Sequence, residues 1–243
     1  MKLVINPECP YVYETHLHTN EGSKCAVSSG TEMAGAAFEA GYTGIIVTNH
    51  FIGGNTAVDT NLPWKEWVDG FCKGYENAKA EGDKIGLQVF FGWESGFRGT
   101  EFLIFGLDKD WLYSHPEING CTIPEQYEIV KKSGGLVIQA HPYRKEDYIP
   151  EVRVFPEFSD GAETVNATHS SKLSKSHNIP EWDDMAEKYA SENNLLRTAG
   201  SDVHSVNMLG GGMAFGRKLS DINEFIEAVR NREGILLTGN ESL

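Results

Sequence analysis

Histidines and carboxylates recur at the ends of apolar runs in this chain, and together those residue types make sites for transition metals. The first are His16 and His18, in Tyr13-Glu14-Thr15-His16-Leu17-His18-Thr19, where a β-favouring run meets the turn-prone residues Asn20, Glu21, Gly22 and Ser23. Residues i and i+2 of a strand share a face, so the two imidazoles project together while Leu17 points away. Alone, such a pair is as readily one packed and one exposed histidine. The arrangement repeats, however. His50 follows Gly44-Ile45-Ile46-Val47-Thr48-Asn49, Glu94 follows the run from Leu87 to Trp93, His141 follows Gly135 to Ala140, and Asp202 and His204 follow Leu195 to Gly200. Five runs ending in one kind of chemistry predict a shared centre. Histidines mixed with carboxylates suit zinc, iron or manganese, and a carboxylate can bridge two ions. Two or three divalent ions so held fit phosphoester hydrolysis, in which a metal-activated hydroxide attacks phosphorus in line and the ions steady the leaving oxygen.

The elements that must position these residues alternate between strand and helix. Helices are expected from Thr31 to Gly41, with Gly41 as C-terminal cap, from Pro63 to about Ala80, from Pro124 to Ser133, from Glu181 to Asn193, and from Ser220, as N-cap, to Asn231. The Pro63 helix carries Trp64, Trp67, Phe71 and Tyr75 at helical spacing, a stripe that belongs to packing rather than to a ligand site. Further strands are expected at Glu101 to Gly106, Ala162 to Val165 and Ile235 to Leu237. Pro142 to Asp160 reads as loop or lid, and Gly210 to Gly212 as a flexible loop lacking either phosphate-binding glycine signature. Repeated βα units predict an α/β fold with a parallel sheet or barrel, whose sites lie at the C-terminal ends of the strands. No repeat or linker marks a boundary, so residues 1–243 are expected to form a single domain.

Composition narrows the partners. With 35 acidic and 21 basic residues, the formal charge is −14, which disfavours long nucleic acid and anionic membranes but not a small phosphorylated substrate beside bound cations. No apolar run reaches the roughly 18 residues of a membrane span, and the N-terminus lacks a signal-peptide core, so a cytoplasmic protein is expected. Cys9, Cys25, Cys72 and Cys121 are far apart, which predicts reduced thiols and no zinc ribbon. No GxSxG motif suggests a serine hydrolase. The sequence leaves the oligomeric state open.

Taken in order, His16-Leu17-His18-Thr19, Thr48-Asn49-His50, Gly92-Trp93-Glu94, Ala140-His141-Pro142 and Ser201-Asp202-Val203-His204 resemble the HxH, TDH, lone-glutamate, AHP and SDxH motifs of the PHP (polymerase and histidinol phosphatase) superfamily. The resemblance implies a distorted (β/α)7 TIM-like barrel, a trinuclear metal centre and phosphoesterase activity. By the same resemblance, His16, His18, Glu94 and Asp202 would hold one ion. Glu94 would bridge to a second ion, shared with His141, and His50 and His204 would hold a third. Two positions depart from the family pattern. The segment after HxH, Thr19 to Cys25, lacks the usual Asp or His, and Glu21 is the expected substitute, ahead of Cys25. The second-metal histidine is also missing, and Glu101 is expected in its place. Without these substitutes the centre would be dinuclear. Asn49 stands where the family commonly has Asp.

Around the metals, Arg144 could clamp a phosphate, Asn166 and His169 could line the pocket, and His169 or His204 could protonate the leaving oxygen. His115 and His177 read as surface histidines. The expected activity is hydrolysis of a small phosphomonoester, as in a histidinol phosphatase. The alternatives are a phosphodiesterase or exonuclease acting on nucleotides, and a metal-binding regulatory module without turnover.

Overall fold

Strand β1 (Tyr11–Leu17) is the axis of the fold, and it is not regular. Tyr13 packs among the barrel's inner residues, and strict alternation would then turn His16 outward. A register break between Glu14 and Leu17, against β2 (Gly44–Val47), resets the alternation. Leu17 joins the outer core instead, with Val12 and Ile45, and His16 and His18 face inward.

The computed structural model describes residues 2–147, 149–172, 174 and 176–239. The remaining elements are α1 (Gly30–Ala40), α2 (Trp64–Phe71), α3 (Lys73–Ile85), β3 (Gln88–Phe97), β4 (Thr100–Phe105), α4 (Lys109–Ser114), α5 (Ile123–Lys132), β5 (Leu136–Gln139), β6 (Gly161–Asn166), α6 (Glu181–Glu192), β7 (Leu196–Gly200), β8 (Gly211–Phe215), α7 (Ile222–Arg230) and β9 (Ile235–Thr238). Among the described residues one sheet carries the nine strands, in the order β7-β6-β5-β4-β3-β2-β1-β8-β9. It curls into a nearly closed barrel, as the expected TIM-like architecture requires. The distortion has two sources. β4 runs antiparallel to both β3 and β5, and β8 runs antiparallel to β1 and β9.

The seam lies between β1 and the residues just beyond β7. Leu17 bridges Val203, His18 N donates to Val203 O at 2.8 Å, and Val203 N donates to His16 O at 3.1 Å. Below this, Thr15 Oγ1 donates to Ala199 O, and Glu14 Oε1 accepts from the amides of His16 and Ser201. Inside the barrel, Tyr13, Ile46, Phe90, Leu103, Leu136, Ile138 and Ala199 form a core closed at the bottom by Phe225 and Ile226 of α7. The polar centre sits above it.

Several local expectations hold for stated reasons. Ser29 caps α1 through a box with Glu32, and Gly41 ends it with φ 101°. Trp67 and Phe71 are buried against Phe51. The expected single helix from Pro63 is instead two, broken at Cys72. β3 runs past Glu94 to Phe97 because β4 pairs with it through the tight turn Arg98-Gly99, whose φ angles of 53° and 83° suit a type I′ hairpin. The glycines at 210–212 are not a flexible loop. Gly211 and Gly212 open the buried strand β8, where a Cβ on Gly212 would lie 2.2 Å from Tyr13 O. The N-cap of α7 is Asp221 rather than Ser220. Residues 142–160 are irregular apart from the 3-10 turn Pro156–Phe158, with Tyr148 outside the described residues.

Gly200 is the tightest point of the seam, since a Cβ there would lie 2.4 Å from His16 Cβ and 2.8 Å from Glu163 Oε1. Gly200→Ala should therefore lower stability by about 1–3 kcal/mol through overpacking. A denaturant midpoint equal to that of the parent protein would contradict the close approach.

Candidate metal centre

Glu94 stands at the middle of the strand-end cluster. Its Oε1 lies 3.3 Å from His16 Nε2 and 3.2 Å from His141 Nε2, and its Oε2 lies 2.8 Å from His50 Nδ1 and 3.5 Å from His18 Nε2. Each oxygen thus faces two imidazoles. Asp202 adds Oδ1 at 3.2 Å from His18 Nε2 and 3.5 Å from His16 Nε2. Glu101, at the start of β4, brings its oxygens within 3.8 Å of His50 and 3.6 Å of His141. Among the described residues, four overlapping groups have donor atoms within 4.8 Å of one another: His18, His50 and His204; His16, His18 and Glu94; His16, His141 and Asp202; and His50, Glu94 and Glu101.

Backbone strain aims two of these side chains. His141 and Asp202 have φ angles of 26° and 52°, in the left-handed region that non-glycine residues avoid. His141 follows Ala140, which already faces the inner core, so a continued strand would turn the imidazole outward. The costly conformation returns it to the centre, as strained residues often do at functional sites.

The residues present fit divalent cations. His16 Nε2, His18 Nε2, His50 Nδ1 and Glu94 Oε2 are buried and make no hydrogen bond of usable geometry among the described residues. Buried polar atoms left this way are costly unless something else satisfies them. Their opposite ring atoms are anchored: His16 Nδ1 lies 2.9 Å from Glu163 Oε1, and His18 Nδ1 lies 3.0 Å from Ser23 Oγ. This is the support that ligating histidines need. Glu163 Oε2 also accepts from His141 N and Asn166 Nδ2. Sequence reasoning missed Glu163. Its only signal was a glutamate in the middle of a short strand of small residues.

The other expected site residues divide. Arg144 lines the cavity, with Nη1 donating to Asp202 Oδ2 at 2.5 Å and Nη2 reaching Thr168 Oγ1 at 3.3 Å. His204 lines the cavity too, its ring stacked on His18 with centroids 4.4 Å apart. Glu21 does not reach the centre. Both its oxygens accept from Gly30 N at the start of α1, and Oε1 also takes Asn77 Nδ2. The helix N-terminus has claimed that carboxylate. His169 stands behind Arg144 rather than in the cavity. Its Nδ1 lies 2.6 Å from Asp183 and its Nε2 accepts from Arg144 Nε, so neither nitrogen is available to protonate a leaving group. Asn166 is likewise buried, holding Thr168 with its oxygen and Glu163 with its amide. His177, expected on the surface, lines the cavity and pairs with Glu146 at 2.9 Å.

The charges are arranged as though protons stood in for cations. Burial disfavours the charged form of His16, yet Glu163, Asp202 and Glu94 raise it well above an ordinary histidine. His50 is raised too, burial being outweighed first by Glu94. Burial and the neighbouring His50 and His204 hold His18 low. Burial, then the Glu94 charge, pushes Glu101 up to about 8. His16, His50 and Glu101 therefore keep protons at neutral pH that a cation must displace, so binding should strengthen as pH rises. Calorimetry in buffers of different ionisation enthalpy should show net proton release on adding Mn²⁺ or Zn²⁺. Affinity unchanged between about pH 6 and 8, with no proton release, would contradict this charge balance.

Residues 180–233 match the PHP-associated family. No curated protein matches the sequence. Among solved structures, a two-domain protein from Bacteroides vulgatus containing a predicted PHP-like metal-dependent phosphoesterase is similar with a TM-score of 0.68 and 15% identity, over 97% of this chain and 68% of that one. A protein from Bifidobacterium adolescentis, assigned as a metal-dependent phosphoesterase, is similar at 0.55 and 16%, over 93% and 98%. An amidohydrolase from Chromobacterium violaceum, with bound sulfate and no metal, is similar at 0.54 and 12%, over 91% and 96%. At these identities the likeness is one of fold. The shared fold and the match of residues 180–233 to the PHP-associated family accord with the motif resemblance to the PHP superfamily.

Proposed function

We propose that this protein is a metal-dependent phosphoesterase that hydrolyses small phosphomonoesters. The observation that carries this reading is the convergence of metal-capable groups on the buried Glu94, which shares one group with His16 and His18 and another with His50 and Glu101, the ligand sets below following the motif resemblance. We assign His16, His18, Glu94 and Asp202 to one ion, Glu94, Glu101 and His141 to a second, and His50 and His204 to a third. The ions are of the zinc, iron or manganese kind. When bound, they supply charge to neutralise a phosphoryl group and to acidify a water. The chain's own residues do the rest. Glu163 and Ser23 hold the rings of His16 and His18 in the orientation that presents Nε2. Arg144, braced from behind by His169 and Thr168, directs its guanidinium toward the cavity, where a phosphate oxygen could share it with Asp202.

The cavity, about 550 Å³, favours a small molecule over a polymer. Arg144 is the only Arg or Lys among its described lining residues, and the chain's charge is −14. A nucleic acid groove would carry more basic groups. The same fold in proteins assigned as metal-dependent phosphoesterases supports the reaction class. Among the described residues no helix is long and apolar enough to cross a membrane. Histidinol phosphate is one candidate substrate, and nucleotide or sugar phosphates are equally compatible.

Metal-free protein supplied with Mn²⁺, Zn²⁺ or Fe²⁺ should hydrolyse an aryl phosphate, and His16→Ala should abolish turnover. Arg144→Lys keeps the charge but loses the fork, and should lower kcat/KM by roughly 10- to 100-fold, the scale of one charge-assisted hydrogen bond. Absence of turnover with all three metals, or His16→Ala equal to the parent, would overturn the assignment.

A further inference from the structure

The segment after the HxH pair offers a different donor from the one its composition suggested. Glu21 is held at the start of α1, while Cys25 reaches the cavity, its Sγ 3.0 Å from His204 Nε2. Neighbouring contacts fix this position. Ser23 Oγ meets His18 Nδ1 and accepts from His50 N, Ser23 pairs with Thr56, and Lys24 N donates to Asn55 O at 3.0 Å. Cys25 thus sits on a turn tied to the ring of His18 and the backbone amide of His50.

The imidazoles beside it point independently to a ligand. His18, His50 and His204 have ring nitrogens within 4.8 Å of one another, and the buried His18 Nε2 and His50 Nδ1 make no hydrogen bond of usable geometry among the described residues, only close approaches to Asp202 and Glu94. We infer that Cys25 is a metal ligand, its thiolate joining His50 and His204 around the outermost ion of the centre. On binding, the S–H proton leaves to solvent as the metal–sulfur bond forms. The inference rests on the metal-centre reading above and deepens it. The inner positions offer carboxylates and imidazoles only, whereas the outer one offers a soft thiolate with imidazoles. That donor set selects zinc or ferrous iron over manganese or magnesium, so the centre would hold unlike ions.

The test uses cobalt as a spectroscopic substitute. Metal-free full-length protein, Cys25→Ser and Cys25→Asp are each loaded with Co²⁺, and metal content, near-ultraviolet absorption and alkylation of each cysteine are measured. The parent protein should show a thiolate-to-cobalt charge-transfer band and protection of Cys25 from alkylation on loading. Cys25→Ser should lose the band and weaken the outermost ion by at least the roughly 10- to 100-fold that outer contacts alone contribute. Cys25→Asp should lose the band yet keep the metal content, because a carboxylate restores the donor. Metal bound without a band in the parent, or a band that persists in Cys25→Ser, overturns the inference while leaving the centre intact. Failure to bind any metal overturns both. A band in protein that does not turn over an aryl phosphate upholds the thiolate ligand and overturns only the phosphatase reading.

Discussion

The structure turns on one buried carboxylate. Glu94 places two oxygens among four imidazoles, with His16 and His141 on one side and His18 and His50 on the other. Such a group is expensive to bury as an anion, and burial does push it toward the neutral form. His16 and His50 outweigh that push and hold Glu94 well below the usual carboxylate range. The imidazoles in turn owe their high proton affinity, or lose it, according to which carboxylates they face. Without Glu94, His16 would keep Glu163 and Asp202, but His50 would lose the carboxylate that contributes most to raising it.

Most departures from a regular barrel serve this point. The break in β1 turns His16 inward, the long β3–β4 hairpin brings Glu101 beside Glu94, and the strained backbones of His141 and Asp202 bring their side chains back to the centre. The closing contacts between β1 and Val203 bring the first and last motifs together. Beneath the centre, Tyr13, Ile46, Phe90, Leu103 and their neighbours pack the inner core. Behind it, Glu163 joins His16, His141 and Asn166 in one network, and Asp183 joins Asn166 to His169 and so to Arg144.

The metal-capable residues were legible because strand ends and ligand chemistry both leave local marks. An apolar run followed by His or Asp needs no knowledge of packing. The residues the structure places away from the cavity are those already engaged by other hydrogen-bond partners, which the sequence does not reveal. Glu21 was claimed by the amide of Gly30, nine residues on. His169 was claimed by Asp183 from α6 and by Arg144, and Asn166 by Glu163 and Thr168. Cys25 ranks lower for its mismatch with hard carboxylates, while its nearness to His204, 179 residues away, cannot be read from the sequence. The antiparallel β4 escaped for a similar reason. A parallel and an antiparallel strand look alike as an apolar run, and only the Arg98-Gly99 turn hinted at the hairpin.

The central claim is that Glu94 joins two cation positions rather than capping a cluster of structural histidines. Metal stoichiometry, measured by mass spectrometry on protein reconstituted with Mn²⁺ or Zn²⁺ and freed of loose ions, tests it most directly when set beside Glu94→Gln. The account predicts more than one tightly held ion per parent chain and a loss of ions in Glu94→Gln, which keeps the shape but loses the charge. A parent chain that holds no more than one ion, or a variant that retains the full count, would contradict it.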